Sequence, residues 1–272
     1  MSDNTQEAQV STKINAKQQS RINQKEMADE SGEESSQGKK PLPFIHNNSN
    51  VFVGIQVLQL GCAVGDRGAS FIADGLRRNS TLRSLSLANC EISPVGLADI
   101  FQALSGNRYL KHLCVKGNHY DPSNCDSLAE MLVCNNTLTD LDLGSCDLRG
   151  LSKKVIHALC INNTLTSLKL ARNGLGNADM SALSQVFSHP SQLSKLTKLD
   201  LSFNFIFPES LSVLASSLQR IRPRKLDELK LTQSRPCPAF HQVLLSLHSV
   251  VQNVIVEYLD PATLLADFVS QM

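Results

Sequence analysis

Tryptophan is absent from this sequence of 272 residues, and aromatic residues make up only 5% of it. Leucine, valine, isoleucine and alanine therefore supply most of its apolar content. The length suffices for one large core or for a stack of repeats. We expect an interior built from rows of aliphatic side chains rather than around large aromatic ones.

A strong charge of either sign is also missing, because 26 Lys and Arg residues stand against 25 Asp and Glu residues, for a formal net charge of +1. Net charge therefore gives no support for binding to nucleic acid. No apolar run approaches the roughly 20 residues that a membrane helix needs, and residues 1–40 hold no apolar stretch typical of a secretory signal. We expect a monomer without membrane association, located inside the cell in the cytoplasm or nucleus.

Catalytic and metal-binding motifs are missing as well. The sequence has no P-loop, no G-x-S-x-G and no H-E-x-x-H. Its eight cysteines include no C-x-x-C pair, which disfavours structural zinc and favours reduced thiols. We therefore predict a protein that is not an enzyme, with no catalytic residues, no metal and no cofactor.

The chain divides into four segments by composition. Residues 1–40 are polar and charged, which predicts a disordered tail. Residues 41–54 follow with Pro41 and Pro43 and are expected to form an N-terminal cap segment. Repeats occupy residues 55–250, and residues 251–272 are expected to form a C-terminal cap with a terminal helix that covers the last open core.

The repeats follow the template L-x-x-L-x-L-x-x-N/C-x-L. Five clear copies begin at Leu82, Leu110, Leu138, Leu165 and Leu196, at separations of 28, 28, 27 and 31 residues. Weaker copies begin at Ile55 and Leu226, which makes seven in all. In each copy the L-x-L core predicts a short strand, and the second half shows helical spacing. Such units predict an α/β solenoid, a horseshoe with parallel strands on its concave face and helices on its convex face.

The strings NTLTDLDLGSCDL and NTLTSLKLARNGL, together with the L-x-x-N-x-x-L junctions, resemble leucine-rich repeats of the ribonuclease-inhibitor type. The resemblance covers roughly residues 55–250. That class includes ribonuclease inhibitors, tails of receptor sensors, activators of the Ran GTPase, actin cappers and nuclear scaffolds. The resemblance therefore implies binding to another protein, without naming which one.

In this repeat type, the strand residues between the leucines point to the concave side. The first two repeats offer small or neutral residues there, so we expect them to serve as scaffold. Charge concentrates from the third repeat to the seventh, where we expect a partner protein to dock, with Arg172 and Phe203 as anchors. The predicted protein-binding residues are His112, Lys116, Asp140, Asp142, Lys169, Arg172, Lys198, Asp200, Phe203, Glu228 and Lys230.

A second interpretation of one part of this face is chemical. His112, Cys114, Asp140 and Asp142 share a patch that could hold a metal ion or a reactive thiolate. We favour the binding interpretation, because an open concave sheet does not exclude water and no oxyanion hole is visible nearby.

The leading function is a non-enzymatic scaffold or adaptor that binds a partner protein on its concave face. One alternative is a regulator of an enzyme, either a nuclease inhibitor or a Ran-type GTPase activator. Another is a cytoskeletal or ciliary component. The sequence alone does not rank these partners, because the fold is shared among them.

Overall fold

The computed structural model describes residues 11–14, 54–121, 125–148, 150–188, 194–220, 226–232 and 240–256. For residues 11–14, 240 and 241 it describes the backbone alone. The rest of the predicted tail, the cap segment up to residue 53 and the predicted terminal helix lie outside the described residues.

Short strands and longer helices alternate along the repeats. The strands are β1 (Ser11–Ile14), β2 (Val57–Leu60), β3 (Ser84–Ser86), β4 (His112–Cys114), β5 (Asp140–Asp142), β6 (Ser167–Lys169), β7 (Lys198–Asp200), β8 (Leu226–Lys230) and β9 (Val251–Ile255). The helices are α1 (Gly65–Arg78), α2 (Pro94–Gly106), α3 (Asp126–Cys134), α4 (Lys153–Ile161), α5 (Asn177–Ser188), α6 (Pro208–Arg220) and α7 (Phe240–His248).

All nine described strands form one parallel sheet in chain order, from β1 to β9. The middle leucines of successive repeats pair with one another, so Leu85 lies beside Leu113, and Leu113 lies beside Leu141. These leucines point into the core, which the buried faces of the helices close on the other side. The chain is therefore an α/β solenoid, as the sequence predicts.

Local signals explain where the helices begin. Ser93 precedes α2, and its side-chain oxygen accepts a hydrogen bond from the backbone N–H of Val95 at 3.2 Å. Pro94 and Pro208 are the first residues of α2 and α6, where proline loses no helical hydrogen bond.

The side chains at the Asn/Cys position of the template form one row, and they hydrogen-bond to the backbone of the turns that follow the strands. The Asn118 amide donates to the backbone carbonyls of Leu87 (2.7 Å) and Val115 (2.8 Å) and accepts from the N–H of Cys90. The Cys146 thiol donates to the carbonyl of Val115 at 3.3 Å. These bonds satisfy buried backbone groups of the turns, which gives the alternating Asn and Cys position of the template a structural role.

A second row of asparagines joins the C-terminal ends of neighbouring helices. Asn135 follows α3, and its amide donates to the carbonyls of Leu104 (2.7 Å) and Asn107 (3.1 Å) in the preceding repeat. Its side-chain oxygen accepts from the N–H groups of Thr137 and Leu138, which lead into β5. Asn79, Asn107 and Asn162 are buried at the same position of their repeats.

The sheet extends beyond the predicted repeats at both ends. At the C-terminal end, α7 lies within the seventh predicted repeat, and β9 pairs with β8 from within the segment predicted as a C-terminal cap. At the other end, β1 pairs with β2 from within the segment predicted as a disordered tail. No helix in the described part of the chain is long and apolar enough to cross a membrane.

Candidate protein-binding face

The concave face presents two outward positions from each strand, and the parallel register aligns them in rows. The first row places His112 beside Asp140 and Lys198 beside Glu228. The second row runs from Cys114 through Asp142, Lys169, Asp200 and Lys230. The rows show that charges of opposite sign alternate along this face.

One histidine–carboxylate contact and two ion pairs link several of these side chains. His112 Nδ1 lies 2.9 Å from Asp140 Oδ2, and Lys169 Nζ lies 3.5 Å from Asp142 Oδ2. Within β8, Lys230 Nζ lies 3.6 Å from Glu228 Oε1. The His112–Asp140 pair is the most exposed of them and adds little to stability, so its side chains can rearrange toward a partner at small cost.

Two of the predicted binding residues also support the fold. Asp142 Oδ1 accepts a hydrogen bond from the N–H of Gly144 at 3.0 Å, and Asp200 Oδ1 accepts one from the N–H of Ser202 at 2.9 Å. Each carboxylate therefore stabilises the turn that follows its strand. Lys169 and Lys198, by contrast, are exposed lysines that support no turn of the backbone, and Lys169 pairs with Asp142.

A groove of about 340 Å³ crosses the first half of the face. His112, Asp140, Asp142 and Lys169 form its walls. Gln59, Ser84 and Ser86 also line it, although the first two repeats are predicted to serve as scaffold only. The small side chains of Ser84 and Ser86 on β3 leave room beside the longer side chains of β4 to β6, which is why the groove forms there.

Cys114 lies in this groove, and its thiol is half-buried. Burial raises the pKa of this thiol above its ordinary value, which disfavours the thiolate needed for a nucleophile. Among the described residues, no group of three or more His, Cys, Asp and Glu side chains is arranged to hold a metal ion. The geometry therefore gives no support to the chemical interpretation of this patch.

Arg172 and Phe203, the two predicted anchors, stack on each other. The Arg172 guanidinium carbon lies 4.2 Å from the centre of the Phe203 ring, a close cation–π contact. Arg172 lies in the turn after β6, and Phe203 lies in the turn after β7. Both residues have a left-handed backbone conformation, with φ of 56° each. This conformation is costly for a residue as bulky as phenylalanine.

Two further aromatic residues, which are not among the predicted binding residues, lie just beyond Phe203. The side chains of Phe205 and Phe207 are 70% and 55% exposed. The register of the strands does not point to Phe205 and Phe207, because both residues lie after β7 rather than in it. An alignment of the five clear copies would have found them, as their equivalents are polar or glycine.

The pattern of the leucine-rich-repeat family matches residues 78–101, 134–150, 162–184 and 192–215. Human leucine-rich repeat-containing protein 41 is 28% identical over 228 residues, which cover 80% of this chain and 28% of that protein. Human NACHT, LRR and PYD domains-containing protein 14 is 31% identical over 151 residues, which cover 54% of this chain and 13% of that protein. The chain thus spans less than a third of the length of these relatives.

A solved structure of leiomodin-1 actin-binding site 2 is 15% identical and covers 61% of this chain and 80% of its own, with a TM-score of 0.37. That similarity is too low to compare the two molecules in detail. The internal repeats, the parallel sheet and the matched family pattern together define the class. The chain is an α/β solenoid built of leucine-rich repeats, and its four matched segments are similar to the leucine-rich-repeat family.

Proposed function

We propose that the protein is a non-enzymatic scaffold or adaptor, and that it binds a partner protein on the concave face between β4 and β8. Exposed lysines and the stacked Arg172–Phe203 pair on this face support the proposal. The protein relatives carry the same repeats, which generally mediate contacts between proteins. The raised pKa of the Cys114 thiol and the open groove argue against catalysis.

We further propose that the repeats are of the ribonuclease-inhibitor type. Most of the clear copies are 27 or 28 residues apart, and each pairs a strand with a complete helix. Asn and Cys alternate at the turn position from Cys90 to Asn173, with the same hydrogen-bonding role. Six of the described cysteines, Cys62, Cys90, Cys114, Cys125, Cys134 and Cys146, are free thiols, which supports our proposal of a reducing location inside the cell, in the cytoplasm or nucleus.

Affinity capture with matched charge reversals tests the binding face. The concave variant carries Lys169→Glu, Arg172→Glu and Lys198→Glu. Its control reverses three exposed cations of the outer helices, through Arg78→Glu, Lys153→Glu and Arg220→Glu. Both variants change the net charge equally, and the concave one leaves the turn-forming Asp142 and Asp200 in place.

We expect the full chain and the control to retain the same set of proteins, measured by quantitative mass spectrometry, and the concave variant to lose at least one of them more than tenfold. Equal retention by both variants would contradict the proposal. The identity of the lost protein decides the role: a nuclease or a GTPase indicates a regulator of an enzyme, and a filament protein indicates a cytoskeletal component.

A further inference from the structure

The turn between β7 and α6 differs from every other turn of its kind among the clear repeats. The position before the conserved Asn or Cys holds Asn89, Gly117, Ser145 and Arg172 in four copies and Phe203 in the fifth. The position after it holds Glu91, His119, Asp147 and Gly174, and then Phe205. Two residues further on stand Ser93, Asp121, Arg149 and Gly176, and then Phe207. One repeat therefore has phenylalanine at three positions where the others have polar residues or glycine.

The core does not explain these phenylalanines. The two residues between them point inward, since Ile206 is buried and the Asn204 amide donates to the carbonyls of Leu170 and Leu201, at 2.9 Å each. Alternation then turns Phe203, Phe205 and Phe207 outward. Phe205 and Phe207 are the most exposed aromatic side chains among the described residues. Polar residues at the same positions in the other repeats show that the fold does not require aromatic rings here.

Arg172 extends this surface onto the neighbouring repeat. Its guanidinium stacks on Phe203, and the Phe205 ring lies beside Gly174, 3.9 Å from where a Cβ of that residue would be. We call Arg172, Phe203, Phe205 and Phe207 the aromatic ridge. The ridge borders the concave face at β6 and β7, so it is continuous with the proposed binding face.

Charge beside the ridge indicates what kind of partner covers it. The outward positions of β6 and β7 contribute the cations Lys169 and Lys198 and one carboxylate, Asp200. The turn after β6 adds a third cation, Arg172. That carboxylate is already engaged with the N–H of Ser202. Asp142 of the neighbouring strand β5 pairs with Lys169 at 3.5 Å, so both carboxylates nearest to these three cations already have partners within the chain. A segment that lies along this edge therefore meets three cations against two engaged carboxylates, next to exposed aromatic rings.

We propose that the aromatic ridge docks a segment of a partner protein in which an apolar side chain stands next to acidic residues. The apolar side chain packs on Phe205 and Phe207, and the carboxylates face Lys169, Arg172 and Lys198. Desolvated aromatic and arginine side chains commonly dominate the affinity of such contacts. This inference rests on the proposed function, because it specifies the partner of the same face.

Phage-displayed random 12-residue peptides, selected against the immobilised full chain, are the probe. The ridge variant is Phe205→Ser with Phe207→Ser. Its control is Val133→Ser with Val213→Ser, which removes two other exposed apolar side chains, 52% and 44% exposed, from outer helices. Circular dichroism melting checks that both variants fold, and fluorescence polarisation measures the affinity of synthetic copies of the enriched peptides.

We expect enriched peptides that contain an aromatic or aliphatic residue beside Asp or Glu, that bind the control normally, and that bind the ridge variant at least tenfold more weakly. Failure to enrich any peptide, enriched peptides without acidic residues, or equal binding to the ridge variant would overturn the inference. Peptides lost only in the concave variant with Lys169→Glu, Arg172→Glu and Lys198→Glu would overturn the ridge while leaving the proposed function in place.

Sedimentation of the full chain adds one more decisive outcome. A monomer is expected at micromolar concentration. A dimer that dissociates in the ridge variant would show that a second copy of the chain covers the ridge, and would overturn the inference.

Discussion

At the scale of single residues, the two anchors of the proposed face have an energetically unfavourable backbone conformation. Arg172 and Phe203 both have φ of 56°, a conformation that costs about 1–2 kcal/mol for a residue other than glycine. Asn89 adopts the same conformation at the same position of its own repeat, with φ of 54°. Asparagine tolerates the left-handed region better than phenylalanine, so stability does not explain the choice of Phe203.

Phe203→Asn should therefore separate stability from binding. The free energy of unfolding in urea is expected to change by less than about 1 kcal/mol, because relief of the backbone offsets the lost stacking on Arg172. Capture of the partner by the concave face is expected to fall at least tenfold in the same variant. A large loss of stability with unchanged capture would show that Phe203 is a structural residue.

The buried thiols of the turn row make stability depend on alkaline pH. Burial raises the pKa of Cys90 and of Cys146 to about 12, so the folded chain keeps these thiols protonated. In the unfolded chain they ionise near their ordinary value of about 9. The folded state then binds more protons than the unfolded state between these two values, and stability falls as the pH rises through that window.

The comparison that tests this uses Cys90→Ser with Cys146→Ser. Between pH 8 and pH 10.5 the wild type is expected to lose about 1–2 kcal/mol more per buried thiol than this variant, measured by urea unfolding at each pH. Cys134→Ser, which removes an exposed thiol, should behave as the wild type does. An identical pH dependence in all three proteins would contradict the proposed ionisation.

At the scale of elements, the asparagine row at the helix ends determines how successive repeats stack. Asn135 makes five hydrogen bonds through one buried side chain, two to the preceding repeat and three to the turn into β5. Asn136, the next residue, is exposed. The pair therefore offers a matched comparison of the same residue type in two environments.

Asn135→Ala is expected to lower the free energy of unfolding by on the order of 3 kcal/mol, because it leaves buried backbone groups without partners. Asn136→Ala is expected to change it by less than about 0.5 kcal/mol. Urea unfolding followed by circular dichroism measures both. Equal effects of the two substitutions would mean that the row does not hold the repeats together.

The strands and helices of the clear repeats could be predicted from the sequence because their pattern is local. Leu141, Leu143 and Cys146 specify an inward strand and its closing turn, and the structure has β5 there. The ends could not be predicted in the same way. β9 follows the seventh copy and lacks the leucines of the template, although its valines keep a strand-like spacing. β1 pairs through the open backbone edge of β2, which no side-chain pattern encodes.

The candidate site was predictable only in part. Spacing of 28 residues places His112 beside Asp140, and the structure pairs them at 2.9 Å. The turn-supporting bonds of Asp142 and Asp200 depend on backbone conformation after the strand, which spacing does not reveal. The groove over Ser84 and Ser86 depends on the difference in size between neighbouring strands, so inspection of each strand by itself misses it.

At the scale of the whole molecule, the solenoid gives a partner two distinct sides. The concave side carries the groove, the ion pairs and the border of the aromatic ridge, whereas the convex side consists of helices. One cysteine reports on each side. Cys114 lies in the concave groove, and the exposed Cys134 ends α3 on the convex side.

Labelling of these two thiols tests the central claim most directly. The captured partner is added at saturation, a maleimide is allowed to react for increasing times, and mass spectrometry of the peptides gives a rate for each cysteine. We predict that the partner slows the labelling of Cys114 at least tenfold and leaves that of Cys134 unchanged. Unchanged labelling of Cys114 together with slower labelling of Cys134 would show that the partner binds the convex helices, and would contradict the account.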